Sequence, residues 1–432
     1  MKYQPKPSLL FLPFLLFCIS VHSQIIVNQD RLEQRIFDLA KFGLQENGET
    51  ERVAFSDANI EANKWVISEL TKMGLETHTD FAGNIVATRA GTKKNMKPIV
   101  FGSHIDRVPN GGNYDGCVGS MAALEVIQTL NEKNIKTKHP LQVIIFSNEE
   151  GGVMGSRAIA GHLGKSALGV KNSTGYTMGE GIMRLGGDTT RLAEVARKEG
   201  DLAAFLELHI EQGGILEKEN LEIGVVEGIV GLKWWDVVFT GFANHAGTTP
   251  MNARQDALLA AAKFIIAVNE ITNSFDGAQV GTVGRIKAEP GAPNVIPGKV
   301  TASLEIRDLS SEVIEKVFNA IKAKTGDIAE ASNVTVEFHP LDTTADPAIM
   351  HPEIQKIIAE NAKSLGLTYK YMPSGAGHDA QDMAILAPTG MIFVPSKGGI
   401  SHSPKEFTSA KDMANGANVL LKSLLELDKK ID

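Results

Sequence analysis

The sequence predicts an α/β fold: a mainly parallel sheet with helices on both faces, split by a smaller α+β unit. Short apolar runs alternate with helical stretches in both outer parts of the chain. Between residues 229 and 341 the order changes to strand, helix, strand, strand, helix, strand. At 432 residues the chain is also too long for one core.

Residues 24–92 read as two helices, "RLEQRIFDLAKFG" and "ANKWVISELTKMG", then a strand in "GNIVATRAG". The strand "PIVFGS" leads to the helix "SMAALEVIQTLNEK", and the strands "LQVIIFS" and "AAFLELHI" follow. In the inserted unit "GLKWWDVVFTG" is a long strand and "TTPMNARQDALLAAAKFIIAVNEI" a helix. Thr249 is its expected N-cap, with Pro250 at the first helical position. "GTVGRIKAE", "KVTASLEIRDL", the helix "SSEVIEKVFNAIKAKTG" and "NVTVEFHPL" complete the unit. The helix–strand pattern returns with "PEIQKIIAENAKSLG" and "TGMIFVPSKGG". The expected organisation is a catalytic unit of 24–228 and 342–432 around an insert at 229–341.

Composition is that of an ordinary globular protein, 43% hydrophobic and 22% charged. With 43 basic and 51 acidic residues and no basic run to track phosphates, nucleic acid is not an expected partner. Lys2 and Lys6 precede a short apolar run, "SLLFLPFLLFCISV", that Pro13 interrupts. "VHS" then precedes Gln24, so residues 1–23 read as an export signal and the protein as periplasmic or secreted. Cys18 lies in that segment, which leaves Cys117 alone and no intramolecular disulfide. Cys117 lacks a cysteine-protease partner pattern and reads as a small buried residue.

In an open parallel sheet, ligands bind beyond the carboxyl ends of the strands. His104 and Asp106 follow "PIVFGS", Glu149 and Glu150 follow "LQVIIFSN", His209 ends "AAFLELH", and His402 comes shortly after "TGMIFVPSKGGIS". Each has an ordinary reading alone. Asp115 precedes a helix and could cap it, His209 could be a hydrogen-bonded core histidine, and paired glutamates are usually solvated. Together they place imidazoles and carboxylates on one rim. Such donors without thiolate suit zinc, manganese or cobalt, and the excess of carboxylate favours two ions. Adjacent Glu149 and Glu150 allow one to face a metal while the other takes a proton from water. Asp106, two residues past His104, can orient that imidazole.

"GSHIDRVPNGGNYDGCVG", "SNEEGG", "GSRAIAG", "ELHIEQGGILE", "FANHAGTTPMNARQDAL", "PNVIPGKVTASLEIRD", "GAGHDAQDMA" and "HSPKEF" resemble the carbamoylase and allantoate amidohydrolase family. This is a branch of the two-metal superfamily that contains carboxypeptidase G and the aminoacylases. The resemblance spans nearly all of the chain after the N-terminal segment. It implies two divalent ions bridged by Asp115, one also held by His104 and His209, the other by Glu150 and His402. Glu149 would be the general base. The histidine of "LHIEQG" looks like the amidase branch, where peptidase relatives carry an acid.

The resemblance further implies that the insert is a lid and dimerisation unit. His245 of "NHAG" would reach a partner subunit's site and steady the oxyanion. Asn294 and Arg307 would bind the substrate carboxylate, and Gln212 the ureido end. His378 falls near the substrate without an assigned role. In one respect the sequence departs from the pattern: "GGVM" alone joins "EE" to "GSRAIAG", a shortened loop.

The expected function is cleavage of a linear ureido C–N bond in a small carboxylate, first an N-carbamoyl-L-amino acid, by a homodimer. The alternatives are an allantoate or ureidoglycolate amidohydrolase, an exported dipeptidase or N-acyl amino acid hydrolase, and a non-catalytic periplasmic binding protein.

Overall fold

The computed structural model describes residues 1, 25–46, 50–341 and 345–431. The apolar N-terminal run read as an export signal lies outside the described residues. In chain order the strands are β1 (Glu76–Thr79), β2 (Ile85–Arg89), β3 (Ile99–His104), β4 (Leu141–Phe146), β5 (Ala204–Ile210), β6 (Ile223–Ile229), β7 (Gly231–Thr240) and β8 (Asn244–His245). They continue as β9 (Val280–Thr282), β10 (Ile286–Glu289), β11 (Val295–Ile296), β12 (Lys299–Asp308), β13 (Thr335–Pro340), β14 (Ala348–Ile349), β15 (Tyr369–Ser374) and β16 (Thr389–Val394).

Continuous apolar runs become strands covered on both faces. β3, β5 and β16 are buried at every residue. They belong to a nine-stranded sheet ordered β1-β2-β4-β3-β5-β16-β6-β14, with β15 also on β6. Its centre, β4-β3-β5-β16, is parallel throughout. The flanks β1, β2, β6 and β14 attach antiparallel, so the sheet is more mixed than its apolar runs suggested. Part of the reason is local: an Asp80–Asn84 turn, with the Asp80 carboxylate accepting the Ala82 and Asn84 amides, folds β1 straight back onto β2.

Helices cover both faces. Gln29–Ala40, Cys117–Glu132, Pro352–Ser364 and Ala410–Lys430 pack on one side, and Met154–Ile159 and Asp379–Leu386 on the other.

The alternating run Lys299–Asp308 buries every second residue, as expected of a sheet covered on one face only. β12 lies in a five-stranded antiparallel sheet, β10-β12-β7-β13 with β9 on β12. Helices Ala257–Ser274 and Ser311–Ala331 cover that face, burying Val237, Phe239, Phe264, Leu304 and Ile321.

The helix expected to begin at Pro250 starts later. Asp256 is its N-cap, accepting the amides of Leu258 and Leu259. Pro250 is extended, and the Thr249 hydroxyl donates to the His245 carbonyl. A carboxylate acceptor nearer the apolar run displaces Thr249 from the capping role.

Candidate metal centre and active site

The four central strands deliver the suspected ligands to one edge. His104 is the last residue of β3, Glu149 and Glu150 follow β4, His209 is the penultimate residue of β5, and His402 lies beyond β16. Asp115 precedes helix Cys117–Glu132, but the N-cap is Gly116 and no side chain caps the helix. The Asp115 carboxylate turns to the histidines instead. Its Oδ1 lies 3.1 Å from His209 Nε2 and 3.7 Å from His104 Nε2, and its Oδ2 lies 3.2 Å from His402 Nε2. His402 Nε2 is also 3.3 Å from Glu150 Oε2. Gly116, at φ 62°, makes this approach possible, since a Cβ there would stand 2.3 Å from the His104 ring.

Two donor groups therefore share Asp115: His104, Asp115 and His209, and Asp115, Glu150 and His402. Each offers ligand atoms within 4.8 Å of one another. Hard carboxylate with imidazole, one of whose nitrogens is held by backbone, is a donor set for a divalent metal. The backbone contacts are His209 Nδ1 with the Ile210 carbonyl at 2.9 Å and His104 Nδ1 with the Asp106 carbonyl at 3.2 Å.

Electrostatics within the protein reflect crowding. Hydrogen bonds from His209 and His402 overcome burial and hold Asp115 well below the usual carboxylate range. Burial works against His209, but the Asp115 hydrogen bond raises it to about 9. His402 also rises to about 9, chiefly through Asp115. Burial lowers His104 to about 4. Glu150 is pushed up to about 8 by burial and then by Asp115. Burial, then Asp379 and Glu150, push Glu149 well up. Glu149 Oε2 stands 3.6 Å from His104 Nε2, beside the cluster.

Asp106 differs from its expected use. Its carboxylate is 3.8 Å from His104 Nδ1, beyond hydrogen-bond reach, and the backbone carbonyl makes that contact. The carboxylate accepts the amides of Glu149 and Glu150, both at 3.3 Å, and so fixes the loop that carries them. Gln212 donates from Nε2 to Asp115 Oδ2 at 2.7 Å, while its buried Oε1 has no partner among the described residues.

His245, Asn294 and Arg307 have no hydrogen bond or ion pair to the cluster among the described residues. His245 and Asn294 are exposed, on and beside the β8–β11 ribbon where His245 pairs with Val295. The amides of Gly247 and Thr248 donate to His245 Nδ1 at 3.0 and 3.2 Å, which leaves the ring proton of the neutral imidazole on Nε2. Arg307 donates to Glu305 and, through Nη1, to the Gly375 carbonyl at 2.7 Å, three residues before His378.

Sequence reasoning missed Glu406, Ser401 and Glu207. Glu406 is buried, accepts the amides of Tyr114 and Asp115, and meets the Ser401 hydroxyl. It reads as a surface charge in "HSPKEF" and carries no periodic signal. Glu207 did carry one, being a charge inside an apolar strand two residues before His209. It is fully buried, accepting from Ser103 Oγ and the Ala380 amide. With His209 and buried His378 it forms a third group of close ligand atoms.

The sequence model of peptidase family M20/M25/M40 matches residues 100–426. The chain belongs to this family. An N-carbamoyl-L-amino acid amidohydrolase of Geobacillus stearothermophilus is 40% identical over 408 residues, covering 93% of this chain and 99% of the relative. An allantoate amidohydrolase of Bacillus subtilis is 34% identical, over 90% of this chain and 95% of the relative. The crystal structure of a hydantoinase/carbamoylase family amidase from Burkholderia multivorans superposes with a TM-score of 0.87 at 34% identity, covering 94% of this chain and all of that one. Within the family, the chain is an amidohydrolase of the hydantoinase/carbamoylase type.

The expectation of export does not stand. The Geobacillus enzyme is matched over 99% of its length by 93% of this chain, and the Burkholderia amidase over its whole length by 94%, and nothing in these matches speaks for export. That run supports no assignment to the periplasm or the exterior.

Proposed function

We propose that the protein hydrolyses the ureido C–N bond of N-carbamoyl-L-amino acids, with two divalent ions bridged by Asp115. The observation that carries this reading is the division of the Asp115 carboxylate, Oδ1 toward His104 and His209 and Oδ2 toward His402. A carboxylate so divided suits a bridge between two ions of zinc, manganese or cobalt, with Glu150 completing the second group. Ions held there would polarise the carbamoyl carbonyl and lower the pKa of an attacking water.

Glu149 takes the proton of that water and returns it to the leaving nitrogen. Burial, then Asp379 and Glu150, hold its carboxyl above the usual range, the direction that helps it keep a proton for the leaving nitrogen. His245 offers Nε2–H to the developing oxyanion, because its Nδ1 is already occupied by two backbone donors. Exposed, and with no partner for Nε2 among the described residues, His245 fits service in the site of a second subunit of a homodimer. Arg307 and Asn294 hold the substrate carboxylate, and the unpartnered Gln212 Oε1 accepts a ureido N–H. This division of labour assigns 24–228 with 342–432 to catalysis and 229–341 to the lid and dimer contact. The products are the amino acid, carbon dioxide and ammonia.

Ammonia release from protein loaded with manganese or zinc tests the proposal, on N-carbamoyl-L-amino acids, allantoate, ureidoglycolate and dipeptides. Turnover selective for carbamoyl amino acids is expected. Selective turnover of allantoate or ureidoglycolate would replace the substrate. Dipeptide cleavage with no ureido turnover would overturn the reading.

A further inference from the structure

We infer that a cavity beside Glu150 is a binding site for a small oxyanion, held by the buried guanidinium of Arg107 with Lys171 at the rim. The cavity measures about 250 Å³, and its lining comes from residues 53–55, 106–109, 148–151, 170–173 and 178, with none from the insert. Gly151, in the short "GGVM" connection, adds no side chain to the wall.

Arg107 lines this cavity and is only 1% exposed. Its amide donates to the Arg52 carbonyl at 3.1 Å and its Nη1 to the Thr50 hydroxyl, which pins the side chain. Nε and Nη2 are buried and have no partner among the described residues. These two atoms form one edge of the guanidinium. By that edge Arg307 grips Glu305, Arg31 grips Glu125 and Arg191 grips Glu194. Arg107 presents the same fork with no carboxylate in it, and a fork of this kind matches paired oxygens. A buried guanidinium edge left open is costly, so a ligand that fills it gains more than it would at the surface.

The neighbouring side chains do not fill it. Asp106 and Glu150 share the wall, but the Asp106 carboxylate accepts the Glu149 and Glu150 amides. Glu150 accepts the Val108 amide and faces His402. Arg52, the other buried guanidinium here, spends its donors on the carbonyls of Leu39, Phe42 and Ile105 and on Cys117 Sγ, with no carboxylate among its partners. Asn148 Nδ2, in the same wall, finds only the Met154 thioether at 3.7 Å, a weak acceptor, and is a further donor for an oxyanion. Lys171 adds positive charge at the exposed mouth. Val53, Phe55, Val108 and Met178 keep the rest of the wall apolar, where a charge-assisted hydrogen bond is stronger than in water.

Two sources carry this chemistry. One is the ureido reaction itself. When the oxygen of water joins the carbamoyl carbon and the bond to the amino-acid nitrogen breaks, the second product is carbamate, a planar anion with paired oxygens that decays to carbon dioxide and ammonia. The other source is free phosphate. Only the first source rests on the proposed function; the site does not.

The test is calorimetric titration of phosphate and of bicarbonate, the stable stand-in for carbamate, into the full-length chain freed of metal, so that no metal ion takes the anion. The same titrations are made on Arg107→Met, Lys171→Glu and Arg307→Lys. Saturable binding of at least one oxyanion to the wild type is expected, and the tighter of the two names the source. Arg107→Met should weaken it by about tenfold or more, the worth of a hydrogen-bonded charge. Lys171→Glu should weaken it by about threefold, as for an exposed ion pair. Arg307→Lys should leave it unchanged. No saturable binding, or equal affinity in the wild type and both cavity variants, would overturn the inference and leave the Arg107 edge to water. Loss in Arg307→Lys alone would move the anion to the proposed substrate site and overturn it as well. Lys171 is exposed, so its variant decides the matter should Arg107→Met fail to fold. No readout here involves turnover, so failure of ureido hydrolysis would remove the proposed function and leave the site standing.

Discussion

Glu406 accepts the backbone N–H of Asp115 at 2.9 Å across 291 positions of sequence. The same oxygen accepts the Tyr114 amide, and the other meets Ser401, whose hydroxyl also lies 3.0 Å from Asp115 Oδ2. Glu406 thus ties the loop of Asp115 to the loop of His402 and sets the direction of the shared carboxylate. Gly112 is part of the fit, since a Cβ there would stand 2.2 Å from the Glu406 carboxylate.

Glu406→Ala is therefore expected to weaken metal affinity by about 10- to 100-fold, the usual cost of losing a group that orients a ligand. Glu406→Gln, which keeps one carbonyl oxygen, should lose less. Competition with a chelator measures both. Wild-type affinity in the alanine variant would show that the loops hold themselves.

Glu149→Gln should keep the metal and the fold while kcat falls by about 10²- to 10⁴-fold, the range for a positioned acid–base group. Glutamine preserves the acceptor oxygen and shape but cannot carry the proton. Metal content and turnover measured on one preparation separate the two roles. A loss of metal equal to the loss of activity would make Glu149 a ligand instead.

His245→Ala should lower kcat by about 10²- to 10³-fold with a small change in KM, as for other oxyanion donors. Mixing His245→Ala with Glu149→Gln chains should restore activity if the histidine serves the partner's site, since one hybrid site then carries both intact groups. Heterodimers that form and stay silent would confine His245 to its own chain.

Arg307 is engaged by Glu305 and Gly375, so its substitution should act on binding more than on chemistry. Arg307→Lys keeps the charge but loses the fork that grips two oxygens. KM for the carbamoyl substrate is expected to rise about tenfold or more, with kcat changing less. A fall in kcat at constant KM would place Arg307 in the chemistry.

The central parallel strands were legible because their apolar runs are long: β3 and β5 carry a histidine at or next to their ends, and β4 and β16 lead into loops that carry Glu149, Glu150 and His402. The residues gathered around Asp115 were legible from similar signals, as His209 and His104 sit where a strand should simply stop. Glu207 was legible in principle, since its period-two relation to His209 puts two polar groups on one buried face. Glu406 was not, because its contacts depend on bringing residues 112–115 and 401–406 together. The antiparallel flanks were hidden too, as strand direction depends on connections that apolar patterning does not encode. The Asp256 cap was present in the sequence but competed with Thr249, and the stronger acceptor next to the apolar run prevailed.

Metal binding and stability should respond to pH in opposite ways. His209 and His402 rise from 6.5 to about 9 in the folded chain. Their contribution to the stability of the metal-free protein is therefore fully present below pH 6.5 and lost as pH climbs through about 9. Glu150 rises from 4.5 to about 8, so the folded state holds that proton more tightly than the unfolded chain and also loses stability with rising pH across this window. His104, lowered from 6.5 to about 4, works the other way: it is neutral in the folded chain at about pH 6 while the unfolded chain still binds that proton, so its smaller penalty is relieved as pH rises past 6.5. Metal ions need all of these ligands without their protons, so each proton displaced makes affinity rise by up to about tenfold per pH unit. Thermal unfolding with and without manganese, at about pH 6 and about pH 9, reads both effects. The metal-free melting temperature should fall at the higher pH while the gain on adding metal grows. A gain independent of pH would mean that the ions do not displace protons from His209, His402 and Glu150.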